Sequence, residues 1–137
     1  MKASEARDLS VENRKDRIND FRDEYNKIIL TSEFKSWYEF IINRVLEATK
    51  QNKFHVSIKE LDNDFIAELQ KYKSMDSEDY MMELPNLYGA LIYRLCVIDE
   101  YRILIHNVYH DIEKNSWLKR LFAKSVTNSK EIVIVWK

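Results

Sequence analysis

One glycine, one proline and one cysteine in 137 residues withhold the raw material of several architectures. Strand-rich folds draw on glycine and proline at their many turns, so a chain with only Gly89 and Pro85 favours helices. Cys96 has no second cysteine to pair with, which excludes an intrachain disulfide and a secreted, disulfide-stapled scaffold. A single glycine also excludes the glycine-rich loops that cradle nucleotide phosphates. Neither charge sign is in surplus: 22 Lys and Arg stand against 23 Asp and Glu, for a formal net charge of −1. Nothing in that balance draws the chain to a polyanion. Long apolar runs are missing as well. None, residues 95–98 included, approaches the ~20 residues that span a bilayer, and the charged segment 1–20 lacks the composition of a signal peptide. The expected location is the cytoplasm. A bias toward Lys, Asn and Ile over Gly, Pro and Ala suggests an AT-rich genome and hence a bacterial host cell.

What is present suffices for a packed core. Hydrophobic residues make up 45% and aromatics 12% of the chain, and its length suits one domain, 1–137, since domains cluster near 100–150 residues. Residues 1–10 read as a frayed N-terminus. Over 11–30 the apolar residues Ile18, Phe21, Tyr25 and Ile28 recur at helical spacing, predicting an amphipathic helix with one narrow stripe. Such a stripe suits packing on the domain surface or pairing with a partner helix, including that of a second copy.

The globular core is expected over 31–137. Thr31-Ser32-Glu33 offers an N-cap and an acidic first turn. Behind it Phe34, Trp37, Tyr38, Ile41, Val45 and Ala48 share one face of a helix over 33–50, and Phe40, Ile42 and Leu46 widen that face. Residues 54–59 alternate cleanly, which marks a half-buried strand with Phe54, Val56 and Ile58 inward. Asp62 or Asn63 caps a third helix, over 62–72. Residues 73–79 read as a flexible connection, and Pro85 opens a fourth helix over 85–98. Gly89 inside it costs about 1 kcal/mol relative to alanine and points to close packing. A strand over 101–108, a short helix carrying Trp117, Leu118, Leu121 and Phe122, and an apolar strand over 130–137 complete the chain. The last of these, apolar on both faces, is expected mid-sheet between 54–59 and 101–108 and covered on both sides; the alternative is a strand covered by a partner chain. The fold class is α+β: about five helices on a small, three-stranded, mainly antiparallel sheet.

The order helix, strand, helix, helix, strand, strand resembles that of the winged-helix family, with 62–72 and 85–98 as the helix-turn-helix pair and 101–108 and 130–137 as the wing. The link between the paired helices exceeds the tight turn that DNA reading uses. The would-be recognition helix offers only Asn86 and Arg94 to bases and phosphates. Nucleic acid is therefore not the expected partner. A basic cluster, Lys114, Lys119, Arg120 and Lys124, is a possible polyanion contact that a solvated helix face explains equally well.

For chemistry, His106 and His110 stand four apart beside Asp111, but the spacing bridges a strand end and a helix start rather than one helix face. Cys96 among Leu95, Val97 and Ile98 reads as a small buried hydrophobe. Acid pairs such as Asp62/Asp64 and Asp76/Asp79 fit a cap and a solvated loop better than acid–base work. No catalytic residue, metal ligand or cofactor is expected.

The segment 76–83 reads as a surface. Asp76, Glu78, Asp79 and Glu83 with Tyr80 and Met81 offer an acidic, partly apolar face for a basic partner protein. In size, composition and an apolar closing strand with Trp136, the chain resembles small phage-encoded α+β interaction and virion accessory proteins. That resemblance implies a non-enzymatic protein working by contact, as part of a multi-protein assembly or as an inhibitor of a host protein. Its partner would be another protein, or a second copy through the 11–30 helix, with no membrane involved. The alternative is a winged-helix transcriptional regulator.

Overall fold

The computed structural model of the chain describes residues 1–110 and 127–137. The predicted fifth helix and the basic cluster Lys114, Lys119, Arg120 and Lys124 lie outside the described residues. Within them the order is α1 (Ala3–Ile28), α2 (Ser32–Lys50), β1 (His55–Ile58), α3 (Asn63–Lys73), α4 (Ser77–Tyr80), α5 (Leu87–Ile92), a π-helical continuation of α5 (Tyr93–Ile98), β2 (Arg102–His110) and β3 (Thr127–Val135). Five α-helices and a three-stranded antiparallel sheet make an α+β fold.

Local chemistry fixes several helix starts. Thr31 Oγ1 accepts from the Phe34 N–H at 3.3 Å, Asp62 Oδ1 from the Phe65 N–H at 3.0 Å, and Asn86 Oδ1 from the Gly89 N–H at 2.7 Å. Each satisfies an N–H that has no partner in the first turn of a helix. Helix α1 begins at Ala3, not at Val11, so the expected frayed N-terminus is corrected to helix. Segment 73–79, expected as a flexible link, ends α3 and begins the short α4.

The sheet order is β1-β3-β2, with β3 in the middle. Val56, Ile134 and Ile103 stand abreast, as do Ile58, Ile132 and Ile105. These two rows form the inner face. Ile58, Ile132, Ile134 and Ile103 are buried there against Ile41, Val45, Phe65, Leu69, Leu91, Ile92 and Leu95 from the helices. The placement of the closing strand between the other two follows the expectation, but its covering does not. Val133 and Val135, on the opposite face, are only half-buried, and their neighbour Leu104 on β2 is exposed. Two further inward assignments are corrected. Phe54 lies just ahead of β1 and is exposed, its ring 5.7 Å from the Lys137 Nζ. Leu46 points out of α2, which buries Phe34, Ile41, Val45 and Ala48 on one face.

The second half of α1 joins the core. Phe21 and Tyr25 are buried, with Phe21 edge-on to Tyr80 and Tyr93 and Tyr25 edge-on to Tyr93 and Phe34. The apolar stripe read from the sequence is thus spent on the chain's own core.

Candidate functional site

The densest polar arrangement gathers around the π-helical segment. There the Asp99 N–H donates to the Arg94 carbonyl, five residues back, at 2.8 Å. Glu100 follows at φ 64°, in the left-handed region, and turns the chain into β2. This geometry brings the Arg94 and Asp99 side chains to one place. Arg94 Nε lies 3.2 Å from Asp99 Oδ1, near enough for an ion pair but without hydrogen-bond alignment. Tyr38 from α2 donates to Asp99 Oδ2 at 2.5 Å, and its ring lies 5.0 Å from the Arg94 guanidinium carbon. Tyr25 from α1 lies beside the group, its buried hydroxyl without a hydrogen-bond partner among the described residues. Burial pushes both tyrosines above the ordinary phenol range; at Tyr38 the bond to Asp99 pushes the same way.

A π-turn often marks a functional position. Here, though, the ion pair, the stacked cation and the Tyr38 hydroxyl mainly tie α2 to the end of α5. The sequence carried no signal for it, because Tyr38 and Asp99 are 61 positions apart and each looks ordinary in its own segment.

The acidic segment is less available than its sequence suggested. Tyr80 and Met81 are buried, 4% and 7% exposed, so they are corrected from surface contacts to core residues. Tyr80 lies between Phe21 and Tyr72, and its hydroxyl donates to Glu68 Oε1 at 2.6 Å. Arg14 of α1 reaches Asp79 Oδ1 at 2.8 Å and Glu78 Oε1 at 3.4 Å, and Lys71 pairs with Glu83. Asp76 is exposed ahead of α4. Three of the four carboxylates therefore already hold cations of their own chain.

His106 projects from β2, with its Nδ1 3.2 Å from Glu131 Oε1 across the strand pair. Among the described residues no group of three His, Cys, Asp or Glu side chains is placed to hold a metal ion. Cys96 lines a groove of about 270 Å³ with Leu69, Tyr72, Lys73 and Tyr101. Burial pushes its thiol up to about 11, outweighing the opposing pull of Lys73, so at neutral pH it stays protonated. Lys73 is itself engaged, donating to the Ile103 carbonyl.

Two exposed surfaces among the described residues bear on binding. One is the first half of α1: residues 3–13 are all exposed, including Leu9 and Val11. The other is the outer sheet face, where His55, Arg102, Leu104 and His106 are exposed around half-buried Val133 and Val135. No helix among the described residues is long and apolar enough to cross a membrane. No family model matches the chain, and the comparisons with curated proteins and with solved structures found no match either.

Proposed function

We propose that this is a non-enzymatic interaction protein that works as a component of a multi-protein assembly. The observation that carries the reading is the arm of α1. An isolated helix of eleven residues is marginal in water, yet residues 3–13 continue a helix whose remainder is anchored through Phe21 and Tyr25. The core thus holds out a preformed helical handle with no packing role in its own domain. A role as an inhibitor acting through segment 76–83 is less well supported, since Tyr80 and Met81 are buried and Glu78, Asp79 and Glu83 are ion-paired. The likeness to small phage-encoded proteins belongs to the same proposal, and the neighbouring genes test it.

Native size analysis of an extract from cells that make the protein tests the assembly reading. The wild type should migrate in a complex, and a variant with Glu5→Lys, Asp8→Lys and Glu12→Lys should shift to lower mass. A wild type that migrates as the free chain would overturn it.

The competing reading, a winged-helix regulator, draws support from the element order and from the long β2–β3 pairing. Against it, residues 89–93 and Leu95 of the would-be recognition helix are buried, so little of that helix is free to enter a groove. Binding to random duplex DNA at low salt tests it, and no binding there would end it.

A further inference from the structure

The two exposed surfaces carry opposite charge and match in size. In residues 3–13 of α1, Glu5, Asp8 and Glu12 stand against Arg7 alone, a net of two negatives. At 100° per residue, Glu5, Leu9, Glu12 and Asp16 share the side of α1 turned away from Phe21. Leu9, 47% exposed, thus lies among carboxylates. On and beside the outer sheet face, Lys59, Arg102 and Lys137 stand against Glu131 and Glu100, a net of one positive around Leu104, which is 42% exposed; Lys59 lies 4.0 Å from Glu131, and Glu60 beside it is held by Arg44. The dimensions agree as well. Eleven helical residues run about 16 Å, close to five strand residues, and a helix about 10 Å wide spans two strand spacings. A helix laid on the open face of an antiparallel sheet is a common way for proteins to complete a layer.

We propose that the α1 arm of one copy docks across the outer sheet face of a second copy, Leu9 against Leu104 and the arm carboxylates against Arg102, Lys59 and Lys137. This rests on the assembly reading and names the partner. The two surfaces differ, so the contact is heterologous: each copy keeps one arm and one face free, and the product is a chain or a closed ring rather than a two-fold pair. One short helix on three strands buries less than the ~1,200 Å² typical of stable complexes, so association should depend on concentration and weaken with salt.

Sedimentation of the full chain tests it. The weight-average mass should rise above 16.6 kDa with increasing concentration and fall back as salt is added. An arm variant (Glu5→Lys, Asp8→Lys, Leu9→Ser) and a face variant (Arg102→Glu, Leu104→Ser) should each be monomeric, with wild-type circular dichroism. Mixed, they should form a 1:1 dimer and nothing larger, because the mixture contains one good arm and one good face. A wild type monomeric at every concentration and salt would overturn the docking; the assembly reading would still stand or fall on native size in extracts. Association lost in the arm variant but intact in the face variant would overturn it in favour of arm-to-arm pairing or another site. If the face variant loses its fold, Arg102→Glu alone takes its place, with at least a tenfold weaker association expected.

Discussion

The Tyr80 hydroxyl lies 2.8 Å from the point where a β-carbon on Gly89 would stand. The only glycine of the chain sits in α5 because a buried tyrosine from α4 comes up against it. Two effects oppose each other in Gly89→Ala. Helix propensity favours alanine by about 1 kcal/mol, whereas forcing atoms into a packed core costs about 1–3 kcal/mol. Overpacking should win, because the Tyr80 ring is held by Phe21, Tyr72 and the Glu68 hydrogen bond and cannot swing away. Urea unfolding should show a loss of about 1–2 kcal/mol. In a Tyr80→Phe background the same substitution should be neutral or stabilising, and equal losses in both backgrounds would refute the steric account.

At the Tyr38–Arg94–Asp99 cluster, Asp99→Ala removes a hydrogen-bond acceptor and leaves the half-buried Arg94 without its counter-charge. A loss of about 2–3 kcal/mol is expected, against about 1–2 kcal/mol for Tyr38→Phe, which leaves the ion pair in place. Denaturant titrations of both variants check the order, and a larger effect for Tyr38→Phe would contradict it.

Asp62 gives a pH signature. Hydrogen bonds from the Tyr88 hydroxyl and then from the Phe65 N–H hold its carboxyl below the ordinary aspartate range. A depressed folded-state pKa means stability that is fully present above the unfolded value, about 3.9, and is lost as pH falls through the folded value. Asp62→Ala should therefore cost about 1 kcal/mol at pH 7, a typical N-cap loss. Its difference from wild type should shrink as the solution is acidified below the carboxylate range. Unfolding curves across the acid range measure this, and a gap that widens toward acid would show the wrong sign.

Removing residues 132–137 should abolish cooperative unfolding, not merely weaken an interaction. It deletes Ile132 and Ile134, both fully buried, and the backbone partners of β1 and of half of β2. Near-ultraviolet circular dichroism should collapse, and retention of a sharp thermal transition would contradict the prediction.

Where local chemistry decides, the sequence was readable. Thr31 and Asp62 announce their helix starts, the alternation at 54–59 announces β1, and the doubly apolar 130–137 announces a central strand. Residues whose fate depends on distant partners were not readable. Tyr80 and Met81 sit in a run of acids that looks solvated, and only the arrival of α1 turns them inward. Leu46 looks like core until α2 is seen to bury one face. The expectation that β3 is covered on both sides failed for a related reason, since apolarity on two faces specifies pairing in the sheet more strongly than it specifies a second layer. The candidate surfaces suffered most: an acidic stretch read alone says nothing about the Arg14 and Lys71 that neutralise it.

The central position of β3 also sets a timetable. β1 ends at Ile58, yet its partner Ile132 emerges from synthesis more than seventy residues later. Until then β1 and β2 have no strand between them, and five α-helices can collapse around a sheet that does not yet exist. Pairings so distant in sequence form slowly, and unpaired strand edges in a nascent chain invite wrong partners. The same hydrophobic strand that seals the finished domain thus leaves β1 waiting for a partner made more than seventy residues later.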